Sequence, residues 1–177
     1  SMACIFLLAL FIGGATQGLG GVAERESGVI RAVRISPVTL FGYILTKLVP
    51  ALLFGIVSVA ACALIMGGPG LIPQYILMAL ASVFVCGVIA FVIIAFADNQ
   101  IAAVGVLKIV MPVFLVVGIS AAFIPDKLLA VYYPLPMYWQ YASVRSISAG
   151  DPSAFPIGMI ALTGLPWFLA SAAILKK

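Results

Sequence analysis

Charged side chains are the residues of this sequence best suited to chemistry, and they are few. The chain of 177 residues contains 9 Lys and Arg, 5 Asp and Glu, and no His. Carboxylates and guanidinium groups form ion pairs, whereas zinc sites and His-dependent triads require imidazole or clustered thiolates. The composition therefore favours binding a partner over catalysis. Five charged residues share one eleven-residue stretch: Glu24, Arg25, Glu26, Arg31 and Arg34.

Two lysines, Lys47 and Lys108, lie inside apolar segments. Counted from Pro37 and from Asp98, each lies ten residues into its segment, or roughly 15 Å at about 1.5 Å per residue. A lysine at the centre of a membrane helix costs on the order of 2.5 to 3.5 kcal/mol, and less where its side chain reaches the headgroups. The equal depth leaves two interpretations: both lysines line a shared inner vestibule, or each extends separately to cytoplasmic headgroups.

The elements that position these charges are predicted from the apolar runs. Hydrophobic residues make up 65% of the chain and charged residues 8%, compared with roughly 25% charged residues in soluble domains. Fifty consecutive residues between Lys47 and Asp98 carry no formal charge. As one helix they would extend roughly 75 Å, while the hydrocarbon core of a bilayer is about 30 Å thick. Residues 67–70, Gly-Gly-Pro-Gly, therefore divide this run into two membrane spans.

We predict an all-α, polytopic integral membrane protein that forms a single transmembrane domain over residues 1–177. The basic residues of the first loop and of the C-terminus place both on the cytoplasmic side, with the N-terminus outside. The five predicted spans are residues 3–22, 38–66, 72–97, 101–123 and 156–175, with a cytoplasmic amphipathic helix over 23–36 and an outer re-entrant or interfacial segment over 124–151.

The first predicted span begins abruptly after Ser1 and Met2, without the basic flank of a signal peptide. Ser-Met resembles the scar of a removed tag, and five spans that start outside are an odd count. We therefore expect that a natural upstream span is missing. The alternative is that Met2 is the natural start.

Aromatic residues crowd the segment between the fourth and fifth predicted spans. Pro134 and Pro136 rule out one continuous helix there. Aromatic rings with a polar group favour the headgroup level, so one interpretation is an outer interfacial belt. The other is a pair of short helices that enter the outer leaflet and return, lining an exit. The aromatic residues concerned are Tyr132, Tyr133, Tyr138, Trp139 and Tyr141.

The cytoplasmic segment carries a resemblance to a known family. Residues 23–37, followed by residues 43–48, resemble the membrane permeases of type 2 ABC transporters. These permeases typically show an acidic and basic pair, a glycine a few residues later, Ser-Pro or Thr-Pro, and a lysine inside the next span. This sequence has Glu24-Arg25, Gly28, Ser36-Pro37 and Lys47 at those places. Residues 134–141, Pro-Leu-Pro-Met-Tyr-Trp-Gln-Tyr, are also similar to the family and favour the re-entrant interpretation.

The resemblance implies a mechanism and a set of partners. In such transporters the permease dimerises, here as a homodimer, and a separate ABC ATPase subunit with ATP and magnesium binds beneath each copy. The short cytoplasmic helix enters a cleft of the ATPase and transmits its closure to the spans. Carried over by position, the coupling residues are Glu24, Arg25, Glu26, Gly28, Arg31 and Arg34. The residues of the candidate translocation pathway are Lys47, Lys108, Tyr132, Tyr133 and Trp139.

The predicted function is export of a drug-like, lipid or other amphiphilic substrate across the bacterial cytoplasmic membrane. We expect no cofactor in this chain, no enzymatic activity, and contact with membrane lipid and not with nucleic acid. Because the sequence contains no Walker glycine loop, ATP hydrolysis is expected in a separate chain. Two alternatives stay open: a secondary transporter or channel driven by an ion gradient, and a non-transporting membrane partner protein. The former is expected to carry a carboxylate at membrane depth, where this sequence places two lysines.

Overall fold

Helices account for the regular structure throughout the described part of the chain. The computed structural model describes residues 2–28, 40–65, 69–120, 123–124, 126–150 and 154–174, and no strand occurs among them. The α-helices are α1 (Met2–Glu26), α2 (Leu40–Ile65), α3 (Ile72–Ala81), α4 (Val83–Phe96), α5 (Gln100–Ser120), α6 (Pro136–Ser148) and α7 (Ala154–Ile174), with 3₁₀ helices at Pro69–Leu71 and Asp126–Tyr132.

Four described helices are long and apolar enough to cross a membrane, and a fifth span results if the bent pair α3–α4 is counted as one. The all-α polytopic membrane class predicted from the sequence is therefore confirmed. The four single-helix candidates are Ile5–Glu26, Leu45–Ile65, Gln100–Val117 and Phe155–Ile174.

The predicted third span, residues 72–97, is not one straight helix. It bends by 44° between α3 and α4, at Ser82, which lies outside both helices. The Ser82 hydroxyl donates to the Met78 carbonyl at 2.8 Å, one turn back. A hydroxyl bonded to the carbonyl four residues earlier often bends a helix, and this bond lies at the break that the apolar pattern did not reveal.

The most buried helix is α4, which packs against α1, α2, α5 and α7. A helix that is apolar on every side is typical of a buried position. On the α7 side, the Phe91 ring lies 5.3 Å from the Phe168 ring. The buried α4 residues are Val85, Cys86, Gly87, Val88, Ile89, Ala90, Phe91, Ile93 and Ile94.

Glycines allow α1 to approach α4 closely. A Cβ atom at Gly14 would lie 2.7 Å from the Cys86 carbonyl oxygen, and one at Gly18 would lie 2.8 Å from Ile93 Cδ1. Small residues spaced by about one turn let two membrane helices pack backbone to backbone. The α1–α4 pair is therefore the tightly packed centre of the bundle, and 61% of the α1 span is buried.

By contrast, α5 lies at the edge of the bundle. Only 6% of its span is buried, although it contacts α1, α4 and α6. Its exposed residues include Ile109, Val113 and Val116. An apolar helix with so little protein around it must be covered by lipid or by another chain.

The outer segment folds as a 3₁₀ helix, Asp126–Tyr132, followed by α6. The prediction of two short helices is thus correct in number, but the first has the 3₁₀ geometry. The second, α6, packs against α1, α3, α5 and α7. Its buried face carries Gln140, Ser143, Val144 and Ile147, so α6 belongs to the bundle. Its position relative to the bilayer stays a prediction.

Candidate functional site

Five charged side chains gather at one end of the bundle. This charged end comprises Glu24, Arg25 and Glu26 at the end of α1, Lys47 about two turns into α2, and Asp98 between α4 and α5. The helices place these groups together because α1 and α4 run toward this end, while α2 and α5 start from it.

The end of α1 corrects one predicted boundary. We predicted that the first span ends at Val22 and that a separate helix covers residues 23–36, but α1 continues to Glu26. The Ser27 N–H donates to the Ala23 carbonyl at 3.0 Å, and Gly28, with a φ of 78°, then turns the chain out of the helix. The helix continues because its last charged side chains find partners on neighbouring helices. Residues 29–36, including Arg31 and Arg34, lie outside the described residues.

Glu24 and Lys47 form a close ion pair. Lys47 Nζ lies 2.6 Å from Glu24 Oε1, and the side chains are 6% and 37% exposed, respectively. A buried ammonium requires a counter-charge, because desolvation strongly disfavours an isolated charge. Lys47 is therefore tied to α1.

Arg25 contacts the end of α4. Its Nη1 donates to the carbonyl oxygens of Ile94 at 3.2 Å and Ala97 at 3.3 Å, and lies 3.9 Å from Asp98 Oδ1. The last carbonyls of a helix lack partners within the helix and carry partial negative charge. The guanidinium group thus caps α4 with a hydrogen-bonded positive charge.

Glu26 contacts the start of α5. Its Oε2 accepts a hydrogen bond from the Gln100 backbone N–H at 3.3 Å. Asn99 caps the same helix, since its Oδ1 accepts from the Ala102 N–H at 2.8 Å. A carboxylate at a helix N-terminus is favoured by the free N–H groups there. Three consecutive residues of α1 therefore contact three different helices.

Replacing Arg25 by alanine should destabilise the fold by about 1 kcal/mol, because two charge-assisted hydrogen bonds to α4 are lost from a partly exposed site. Thermal unfolding in detergent micelles measures the loss. The matched control is Arg145→Ala, since Arg145 is exposed in the last turn of α6. Equal unfolding midpoints for both variants would contradict the capping role of Arg25.

The two lysines have different surroundings. Lys47 is buried and ion-paired, whereas Lys108 is exposed on α5. The two lysines therefore do not form one shared site within this chain, although each lies ten residues into its predicted segment. The reason is packing: Lys47 lies against α1, while α5 turns most of its residues away from the bundle.

The candidate pathway residues Tyr132, Tyr133 and Trp139 do come together, at the end of the bundle opposite the charged end. Trp139 Nε1 donates to the Tyr133 carbonyl at 2.8 Å, and the two rings lie 5.6 Å apart. The Tyr132 hydroxyl lies 3.1 Å from Ser120 Oγ at the end of α5. This aromatic end, defined by these three residues with Tyr138 and Phe155, fixes the outer segment to α5 and α7.

Gln140 is a buried polar residue that sequence reasoning missed. It is 3% exposed and lines a small cavity of about 10 Å³ between α1, α4 and α5. The spacing of residues 140, 143, 144 and 147, all on one helical face, is the signal that could have identified it.

An apolar cleft of about 240 Å³ lies beside the aromatic end. It is formed by α4, α5, α7 and the start of α6, with Trp167 at its side. Trp167 Nε1 donates to the Pro134 carbonyl at 3.0 Å, which attaches the cleft to the outer segment. Metal binding has no comparable support, since no group of three His, Cys, Asp or Glu side chains occurs within the described ranges.

These features define a polytopic membrane protein. Its candidate spans form a helical bundle with the aromatic end on one side and the charged end, which can meet a partner, on the other. The chain belongs to the Fluoroquinolones export permease protein Rv2686c-like family, whose model matches residues 1–175. This match confirms the predicted resemblance to exporter permeases and makes the chain a transport permease. Searches of curated proteins and of solved structures found no match.

Proposed function

We propose that this chain is the membrane-spanning subunit of an ATP-driven ABC exporter in the bacterial cytoplasmic membrane. The family match over residues 1–175 is the observation that carries the proposal. Because the family description refers to fluoroquinolone export, the proposed substrate is a drug-like amphiphile of that kind. Lipids and other amphiphiles are the alternative substrates.

A separate ABC ATPase subunit, which binds ATP and magnesium, drives this transport. The charged end supports the proposal. Glu24, Arg25 and Glu26 begin the predicted coupling segment, residues 23–36, and their contacts hold its start in a fixed position at one end of the bundle. Arg31 and Arg34 follow on that segment. A rigid attachment of this kind lets a push from a bound ATPase reach the helices.

A second copy of the chain covers the exposed face of α5 in the proposed homodimer. The support is the small buried share of α5 together with Lys108, whose ammonium is exposed on a membrane-spanning helix. A charge facing lipid is costly, whereas one facing a hydrated path between two copies is not. The apolar cleft and the aromatic end lie on the proposed outward route, and they suit an amphiphile with an aromatic body.

Charge reversal in the coupling segment tests ATPase binding. In membranes containing the Arg31→Glu/Arg34→Glu variant, we expect the partner ATPase to bind with a Kd raised by at least about tenfold, since the two arginines then no longer meet an acidic surface in the proposed ATPase cleft. The control is Lys176→Glu/Lys177→Glu, which reverses two charges predicted on the same membrane side. Binding that is unchanged in the first variant would refute the coupling assignment.

Transport driven by an ion gradient is a second candidate, and one observation favours it. The Glu24–Lys47 pair joins a carboxylate to a buried lysine, and ionisable groups within membrane helices serve as proton relays in pumps and transporters. Substrate efflux from vesicles separates the two mechanisms. Efflux that requires ATP and the ATPase supports the exporter, while efflux that persists without ATP and stops when the proton gradient collapses supports the second candidate.

A further inference from the structure

The Glu24–Lys47 ion pair connects α1 and α2 on the two sides of the segment that joins them. Glu24 lies at the end of α1 just before Gly28, and Lys47 lies about two turns into α2. The two residues are 23 positions apart in sequence, yet their charged atoms are 2.6 Å apart. The helices on either side of the segment that contains Arg31 and Arg34 are therefore joined by this ion pair, in addition to the packing of α1 against α2.

Burial distinguishes this pair from an ordinary surface ion pair. The Lys47 side chain is 6% exposed, and its stem runs along α1, since a Cβ at Gly21 would lie 3.8 Å from Lys47 Cε. Gly21 and Glu24 are three residues apart and so share one face of α1. The lysine thus passes a position without a side chain and reaches a carboxylate one turn further along. Removing one partner from such a pair leaves an uncompensated buried charge.

The neighbouring residues fix α1 to the rest of the bundle. Arg25 bonds to the last carbonyls of α4, and Glu26 accepts from the first turn of α5. Lys47 adds a charged contact between α1 and α2, which also pack against each other. Gly28, with a φ of 78°, marks where the chain leaves α1.

We infer that the Glu24–Lys47 ion pair is the transmission link of the permease: it makes α1 and α2 move together when the segment between them is displaced. Without the link, the two helices keep their packing against each other but lose the charged tie at this end. Glu24 and Lys47 are then positioning residues, and the earlier assignments of Glu24 to ATPase contact and of Lys47 to the translocation pathway are replaced. The inference rests on the proposed ATPase coupling.

Four variants test the link: Glu24→Gln, Lys47→Met, the neutral double Glu24→Gln/Lys47→Met, and the exchanged double Glu24→Lys/Lys47→Glu. In reconstituted vesicles, ATPase binding, ATPase stimulation and substrate efflux are measured together. We expect all four variants to bind the ATPase like the wild type. Stimulation and efflux should fall about fivefold or more in the first three, and the exchanged double should recover most of both.

The neutral double separates transmission from folding. It buries no unpaired charge, so it should unfold at a temperature close to the wild type even if the single variants fold poorly. Two outcomes would overturn the inference while leaving the ATPase partnership intact. One is efflux and ATPase stimulation at wild-type levels in the neutral double, and the other is no recovery in the exchanged double. If the wild-type permease itself binds no ATPase, the proposed function fails, and the inference fails with it.

Discussion

Replacing Gly14 with alanine is expected to destabilise the protein by about 2 to 3 kcal/mol, although it adds a single methyl group. The new Cβ would lie 2.7 Å from the Cys86 carbonyl oxygen and 3.0 Å from Cys86 Cα. Both atoms belong to the α4 backbone, so no side-chain rotation relieves the clash. The α1 and α4 helices must separate, and contacts along their whole interface weaken.

Gly20 provides the matched control for this prediction. It lies on the same helix, and a Cβ there meets nothing within 4 Å. Gly20→Ala should therefore raise stability by roughly 0.5 to 1 kcal/mol, because alanine has the higher helix propensity. The unfolding midpoint in detergent micelles measures both variants. If they shift the midpoint in the same direction, close backbone packing is not what holds α1 against α4.

Removing the Trp139 side chain should have the other large effect, a loss of about 3 to 5 kcal/mol for Trp139→Ala. The ring is 7% exposed and contacts Tyr133, Tyr138 and Phe155. Trp139→Phe should lose only about 1 to 2 kcal/mol, because it keeps an aromatic ring and loses mainly the hydrogen bond to the Tyr133 carbonyl.

Trp167→Ala is the control of the same residue type. Trp167 also donates to a carbonyl of the outer segment, at 3.0 Å, but it is 47% exposed. Its removal should cost far less than removal of Trp139. A loss of efflux in Trp139→Phe with an unchanged unfolding midpoint would instead assign Trp139 to substrate contact, as the sequence-based pathway prediction has it.

The fold class followed from the sequence because it depends on apolar length. The charge-free run of 50 residues between Lys47 and Asp98 is about two and a half times the roughly 20 residues of one span, so two spans were required. The bend at Ser82 was not predictable, because a serine bonded to the carbonyl four residues earlier also occurs in a continuous helix, as Ser143 does in α6. Residue type alone does not say where a hydroxyl will bond.

The site was only partly predictable for a related reason. Sequence spacing identified Glu24, Arg25, Glu26 and Lys47, but it assigned them to an external partner or a pathway. Their contacts lie 23 to 74 positions away in sequence, and such pairings depend on how helices pack. The spacing of residues along one helix shows which of them share a face, but it does not show which neighbouring helix packs against that face.

The contacts of α1 also constrain how the chain is made. Arg25 and Glu26 bond to groups 69 to 74 residues further along. At a synthesis rate of about 5 to 20 residues per second, those groups emerge roughly 4 to 15 s after α1 itself. During that interval Arg25 and Glu26 lack these partners, although Lys47, 23 residues after Glu24, is made earlier, so the contacts at the end of α1 are complete only after α4 and the start of α5 have been made. The charged end of this permease is therefore completed late in biogenesis, when helices that are distant in the sequence have been made.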